Sequence, residues 1–336
     1  MKSGTSRRKF IAITAAAAGV GLLPFGATRR SAAGHLAEWR GLSLGTIATI
    51  RIHHPDRLAG ERLLARVVSE GQRLEAIFSL YRPDTVLCEL NRRGVLVAPP
   101  AEFADLLVHC DRFWHLTGGL FDPTVQPLWQ CYAEHFSTAG ASAEGPASHK
   151  LDEALRLVGW QNVRFSSDLV VFERRGMALT LNGVAQGYIT DRVVDMLREA
   201  GIESCLVDMG EIRTRGVHPE GRLWQIALQG PAGTALLPSS IDTTNKAVAT
   251  SGADGFRFDD DGQCNHLFNP ATGRCADPAR SLTVVAPTAV AADALSTAFA
   301  LMDQKAIAAV LARAAETQVY ATTIQGTREL TAERGA

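Results

Sequence analysis

Ser281-Leu282-Thr283-Val284-Val285-Ala286-Pro287 is a strongly apolar strand, and Pro287 ends it because proline has no N–H to give a ladder. A few residues on, Ala291–Met302 reads as a helix, and Lys305–Ala315 as another. Working back from this pair, Ala247–Thr250 and Leu223–Leu228 read as strands, and Cys205-Leu206-Val207-Asp208 as a buried one. A helix starting at Ala185 or Tyr188 runs to Ala200 and meets Gly201, a natural C′ residue. Strands are expected near Val163–Phe165, Val170–Phe172 and Ala178–Leu181, after a helix at Leu151–Val158. Ser137–Ser148, rich in Ala, Gly and Ser, reads as a loop. Ala101–Leu116 is a helix running into Thr117-Gly118-Gly119. Arg57–Phe78 places Leu63, Leu64, Val67, Val68, Leu74 and Ile77 on one helical face. Gly45–Ile52 alternates as a half-buried strand does. Strands and helices alternate irregularly, without repeats or heptads, so the fold class is α+β rather than a regular parallel α/β sheet.

The chain has 336 residues, 46% hydrophobic and 21% charged, enough apolar matter for a sizeable core. A net charge of -1 and few aromatics exclude a nucleic-acid surface. Ser6-Arg7-Arg8-Lys9-Phe10-Ile11 leads into a short apolar run to Leu23, too short to anchor in a bilayer. The alternative is a basic terminus ahead of a core helix. The order of arginine pair, Phe10 and apolar run favours a twin-arginine export signal over residues 1–33, using the twin-arginine machinery and giving a periplasmic protein. Ser31-Ala32-Ala33 and Ala27 are both candidate cleavage sites. Disulfides are permitted in that compartment. The six cysteines include no CxxC pair; Cys264 and Cys275 flank a turn-rich segment, and bridging and two free thiols are both open.

Five clusters carry candidate chemistry. In Asn182-Gly183-Val184-Ala185-Gln186-Gly187-Tyr188, glycines in a turn entering a helix allow close backbone approach, and the helix N-terminus favours an anion such as a pyrophosphate. Alone, such a segment is also simply a turn. Asp293 and Thr297 lie four apart on one helical face, which suits a hard cation taking oxygen ligands, or else an N-cap Asp with a solvent-facing Thr. His266 precedes the tight turn Asn269-Pro270-Ala271-Thr272-Gly273, where it is either exposed and structural or presented to a ligand. Gly119-Leu120-Phe121-Asp122-Pro123-Thr124-Val125 forms an extended polar segment, and Ser79-Leu80-Tyr81 offers an aromatic ring for stacking.

Taken in order, these clusters resemble the ApbE family of FAD:protein FMN transferases, over about Leu44 to Met302. The matching stretches are Leu44-Gly45-Thr46, Ser79-Leu80-Tyr81 with Leu90-Asn91, Phe121 to Val125, Gly183 to Tyr188 with Asp191, Asp208-Met209-Gly210, Thr250-Ser251-Gly252, His266 with Asn269 to Gly273, and Asp293 with Thr297. The resemblance implies an ApbE-like, T-fold-like domain of two lobes over residues 34–336, with FAD between the lobes. It implies Mg²⁺ on the Gly183 carbonyl, Asp293 and Thr297. It also implies FAD contacts from Leu44, Tyr81, Leu120, Phe121, Asp122, Thr180, Gln186 and His266. The acceptor it implies is a flavoprotein with a Thr or Ser flavinylation motif. Leu181-Asn182-Gly183, Glu211 and the twin-arginine signal look like the branch tied to nitrous oxide reductase maturation, whose acceptor is a membrane-bound regulator with an FMN-binding domain. Gln186 stands where relatives often carry Lys or Glu, Thr180 where they often carry Asp, and Phe268-Asn269-Pro270 replaces Ile-Asp-Pro.

The expected reaction is attack of an acceptor hydroxyl on the FMN-side phosphorus of FAD, with AMP leaving. His266 is the candidate general base, with Asp208 or Glu211 as substitutes. A metal-dependent FAD pyrophosphatase and a non-catalytic flavin carrier are the rival expectations.

Overall fold

The computed structural model describes residues 34–228, 230–231, 239–260 and 262–331; the export signal expected over 1–33 lies outside them. The strands in chain order are β1 (His35–Ser43), β2 (Thr46–His54), β3 (Val95–Val97), β4 (Val163–Phe165), β5 (Leu169–Phe172), β6 (Cys205–Asp208) and β7 (Ile212–Arg215), followed by β8 (Trp224–Ala227), β9 (Ser240–Thr243), β10 (Ala247–Gly252), β11 (Ser281–Ala286), β12 (Gln318–Thr323) and β13 (Gly326–Leu330). The helices are α1 (Arg57–Phe78), α2 (Val86–Arg93), α3 (Ala101–Leu116), α4 (Gln126–Ser137), α5 (Ser148–Leu155), α6 (Ala185–Glu199), α7 (Ala289–Phe299) and α8 (Gln304–Leu311). The main sheet has eight strands in the order β1-β2-β6-β7-β10-β11-β12-β13, with every ladder antiparallel. Segregated helices on an antiparallel sheet make this the α+β class that the irregular alternation predicts.

Three helices lie across one face of that sheet in strand order. Helix α1 packs on β1 and β2, α6 on β6 and β7, and α7 on β10 and β11. Strand β11 explains why the sequence reads as continuously apolar: all six residues are buried. Leu282, Val284 and Ala286 point into the main core under the helices. Val285 points the other way, into a second cluster with Leu206, Ile212, Trp224, Ile226 and Val248. The β8–β9 hairpin supplies Trp224 and Ile226, so it covers the far face, and a strand covered on both faces loses its polar alternation.

The β1–β2 turn has only two residues, Leu44 and Gly45, at φ 46° and 84°. Two positive φ values are what a twisted two-residue hairpin requires, and a buried leucine at the first of them is a costly choice. Helix α6 ends as expected at Gly201, φ 81°, with Ile202 N–H donating to the Leu197 carbonyl at 3.0 Å. Helix α3 has the bounds read from sequence.

Other expectations need correction. Ala178–Leu181 is extended but joins no ladder. Its backbone is instead clamped by the Asn91 side chain, which donates to the Leu179 carbonyl (2.8 Å) and accepts from Leu179 N–H (2.7 Å). The helix expected at Leu151–Val158 is Ser148–Leu155, and the chain leaves it through tighter turns, Leu157 N–H donating to the Ala154 carbonyl and Val158 N–H to the Leu155 carbonyl. The late helices start and stop earlier, at Ala289–Phe299 and Gln304–Leu311. Strands β1, β3, β7, β9, β12 and β13 and helices α2 and α4 are not anticipated by the sequence; β3, β7 and β9 are only three or four residues long, and β1 and β13 carry charged residues that blur their period.

Candidate active site

The centre of the site is the crossing of α6 and α7. Thr288 is the N-cap of α7, its side chain accepting from Ala291 N–H, so Asp293 is not a capping residue. Asp293 lies on the second turn, only 3% exposed, and its Oδ2 accepts from Gly187 N–H at 2.9 Å. Burial, then the nearby Asp191 charge, pushes its carboxyl up to about 7. One turn further, Thr297 faces the Gly-rich turn. A Cβ on Gly183 would stand 2.9 Å from Thr297 Oγ1, so the Gly183 backbone is pressed against that hydroxyl. Asp293 and Thr297 thus lie one turn apart on the face of α7 that meets the Gly-rich turn, Asp293 against Gly187 and Thr297 against Gly183; they bring a carboxylate and a hydroxyl, and the Gly183 carbonyl is the third expected donor. A buried carboxyl whose ionisation burial disfavours, set beside hydroxyl and backbone oxygens, fits a Mg²⁺-type ion. Among the described residues no three His, Cys, Asp or Glu side chains gather as a metal cluster, and this donor set contains one carboxylate.

Two further acids face the same region. Burial pushes Asp208 up to about 6, offset in part by Gly210 N–H donating at 3.1 Å. Burial raises Glu211 well above the usual carboxylate range, and the charges of Asp293 and Asp208 raise it further. Asp191 has a different task. It accepts from Ala289 and Val290 N–H (2.8 and 2.9 Å) and pairs with Arg213 at 2.6 Å. It thus satisfies open donors at the start of α7 from outside the helix, and fixes α7 on α6.

The expected flavin contacts fall into two groups. Gln186 Nε2 donates to Thr46 Oγ1 at 2.7 Å, and a Cβ on Gly210, φ 107°, would collide with the same amide at 2.3 Å. The neutral Gln186 thus ties the β1–β2 hairpin tip, with its buried Leu44, to the Gly-rich turn. On the other side, Tyr81 is 51% exposed and its hydroxyl accepts from Asn182 Nδ2 at 3.1 Å. Thr180 N–H donates to the Pro123 carbonyl at 2.8 Å, and its Oγ1 accepts from Asn182 N–H at 3.3 Å. Leu120 packs partly buried against the core. Phe121 is buried, edge-on to Phe113 at 6.2 Å.

Asp122 is committed within the chain. Oδ1 accepts from Thr124 N–H (2.8 Å) and Thr124 Oγ1 (2.5 Å), and Oδ2 from Trp160 N–H (3.1 Å). Its visible role is to hold the 120–125 segment in shape. Asn269 keeps the turn function of a carboxylate without the charge, its Oδ1 accepting from Ala271 and Thr272 N–H at 2.9 and 3.2 Å.

His266 sits on the segment after β10. Its Nδ1 lies 3.2 Å from the Phe256 carbonyl, and a Cβ on Gly255 would meet the ring at 2.8 Å. Burial holds its pKa below the ordinary imidazole value. The end of β10 that leads into that segment is tied to α7 by Ser251 Oγ, 2.8 Å from the Oγ of Ser296, the neighbour of Thr297. The Ser251–Ser296 and Gln186–Thr46 links were missed at the level of sequence. Their signal was the hydroxyl in each of the short Leu-Gly-Thr and Thr-Ser-Gly strings.

The chain is 28% identical over 242 residues to an FAD:protein FMN transferase of Chlamydia pneumoniae, covering 69% of this chain and 74% of that one. It is 26% identical over 267 residues to one from Escherichia coli K12, covering 76% of each. Its fold matches the flavin transferase ApbE of Vibrio cholerae with a TM-score of 0.74 at 24% identity, over 90% of this chain and 98% of that one. It matches the ApbE protein of Thermotoga maritima with a TM-score of 0.75 at 26% identity, over 88% and 97%. The family model for ApbE matches residues 44–321, from the hairpin tip beside Gln186 to the penultimate strand of the main sheet. This chain belongs to the ApbE family.

Proposed function

We propose that this chain is an FAD:protein FMN transferase that uses Mg²⁺ and joins FMN to a Thr or Ser hydroxyl of an acceptor flavoprotein through a phosphoester bond. The observation that carries the reading is the contact of Asp293 with Gly187 and of Thr297 with Gly183, where α7 crosses the N-terminal end of α6. Mg²⁺ held there would offset charge on the phosphate oxygens during phosphoryl transfer. The first amides of α6 favour the anionic pyrophosphate, and the exposed ring of Tyr81 offers a face for a flat heterocycle. The acceptor oxygen bonds to the FMN-side phosphorus, the bond to the AMP phosphate breaks, and AMP leaves. The hydroxyl proton passes to His266. An Nδ1–H donated to the Phe256 carbonyl leaves Nε2 as the acceptor, and the lowered pKa keeps the ring neutral at neutral pH.

The twin-arginine signal supports export to the periplasm, and the Leu181-Asn182-Gly183 variant with Glu211 supports an acceptor of the nitrous oxide reduction type. Replacing Arg7 and Arg8 with Lys should leave the precursor in the cytoplasm, read by fractionation; normal export of that variant would exclude the route.

The deciding assay incubates the chain with FAD, Mg²⁺ and an acceptor peptide, and reads peptide mass and nucleotide products. A peptide heavier by FMN with stoichiometric AMP is the expected result. Free FMN with AMP and an unmodified peptide identifies a pyrophosphatase, and unchanged FAD a carrier; either overturns the proposal.

A further inference from the structure

Away from the α6–α7 crossing, a cavity of about 570 Å³ opens beside the loop that carries His266, and its wall includes Cys264, Cys275 and Tyr132. Both cysteines are free thiols. The Cys275 thiol donates to the carbonyl of Asn265, the residue next to Cys264, at 3.2 Å, which brings it against the backbone that carries the other thiol. The backbone holds this approach from both sides. Cys275 faces Phe268 in an antiparallel bridge, and Ala276 N–H donates to the Leu267 carbonyl at 2.8 Å. The Cys264 carbonyl accepts from Phe258 N–H at 2.8 Å, and Cys264 N–H donates to Asp259. The turn from Asn269 to Gly273, closed by Gly273 N–H donating to the Asn269 carbonyl at 2.8 Å, returns the chain so that Cys275 lies against the 264–265 backbone. Cys264 is buried, while Cys275 is partly exposed to the cavity.

We propose that Cys264 and Cys275 form a structural disulfide that staples the loop presenting His266. The co-reactant is a disulfide, either small or borne by an oxidoreductase. The Cys275 thiolate attacks one of its sulfurs, an S–S bond breaks, and one thiol departs from a mixed disulfide. The Cys264 thiolate then attacks the Cys275 sulfur and releases the second thiol. The two cysteine protons end on the departing thiols, so the co-reactant is reduced by two electrons as the cysteines are oxidised. Burial pushes Cys264 up to about 11 and Cys275 up to about 12, which keeps the thiolate fraction small at neutral pH. Exchange is therefore slow in both directions, as befits a staple formed once rather than a fast switch.

The test uses the whole chain, fully reduced and then equilibrated with oxidised glutathione at pH 8.5. Two of the six thiols should become unreactive to alkylation, and digestion should yield a peptide joined through Cys264 and Cys275. The melting temperature should rise by roughly 4–8 °C, from the entropy removed by closing the 264–275 loop, and dithiothreitol should reverse it. Cys264→Ser and Cys275→Ser should each abolish both effects. The parent chain with and without dithiothreitol carries the test even if a variant folds poorly. Both thiols still alkylated at equilibrium, pairing with any other cysteine, or an unchanged melting temperature overturns the proposal. No readout depends on flavin transfer, so it stands or falls separately from the proposed activity.

Discussion

Gly187→Ala sets two physical effects of opposite sign against each other. Gly187 lies inside α6, where alanine is favoured over glycine by about 1 kcal/mol. Yet a Cβ there would stand 2.3 Å from the Ala289 carbonyl oxygen, 2.6 Å from its carbon and 2.7 Å from Val290 Cα, all backbone atoms of α7. Relief to an ordinary 3.4 Å contact needs a separation of about 1.1 Å between the helices, the difference of those two distances. Overpacking on this scale costs up to about 3 kcal/mol. The shift also lengthens the bond from Gly187 N–H to Asp293, whose loss costs about 1.5–3 kcal/mol for a charged acceptor. The net expectation is a loss of about 2–4 kcal/mol, a fall in Tm of roughly 4–10 °C in metal-free and flavin-free buffer. Differential scanning calorimetry of parent and variant decides it. An unchanged or higher Tm, as helix propensity alone requires, would show that α6 and α7 are not in rigid backbone contact and would refute the reasoning.

Asp293→Ala should lower transfer by at least roughly 10²-fold; full activity at low Mg²⁺ would unseat the ligand assignment. His266→Asn should slow transfer by roughly 10²–10⁴-fold with little change in FAD affinity. The parent rate should fall on acidification below the ordinary imidazole value, because burial lowers this pKa, and a variant that keeps that acid limb would point to another base. Asp208 is raised from 3.8 to about 6, so the folded chain binds the extra proton across that window and loses stability as pH rises through it. Asp208→Asn, which keeps an oxygen for Gly210 N–H, should therefore stabilise the metal-free chain by roughly 1–2 kcal/mol at pH 8 and not at pH 3.5; equal effects at both would mean the carboxyl is well hydrated.

The elements legible in the sequence were those whose period survives packing. Helix α3 has one apolar stripe and a glycine stop, and its bounds were read to the residue. Strand β11 was legible because both of its faces are covered. Ala178–Leu181 was misread because the Asn91 side chain, 88 positions away, supplies the hydrogen bonds that a neighbouring strand would give. The site was legible as motifs, not as geometry. Asp293 and Thr297 share a face by helical spacing alone, but nothing local says that the Gly183 backbone would meet Thr297. Asp122 shows the converse, since its polar string pointed to a ligand while its oxygens serve Thr124 and Trp160.

The strand order has a kinetic consequence. The β1–β2 hairpin closes over two residues, but its next neighbour in the sheet, β6, begins at Cys205, after all of the chain from residue 55 to 204. Bringing those ends together costs roughly 4–5 kcal/mol of chain entropy before any ladder bond forms. The β2–β6 junction should then form late and slowly, and the hairpin, with Leu44 held at positive φ, should wait on the rest of the sheet. In pulse-labelled refolding, the amides of Thr49 and Arg51, which in this hairpin register point toward β6 rather than β1, should gain protection after those of β12 and β13, whose pairing is local.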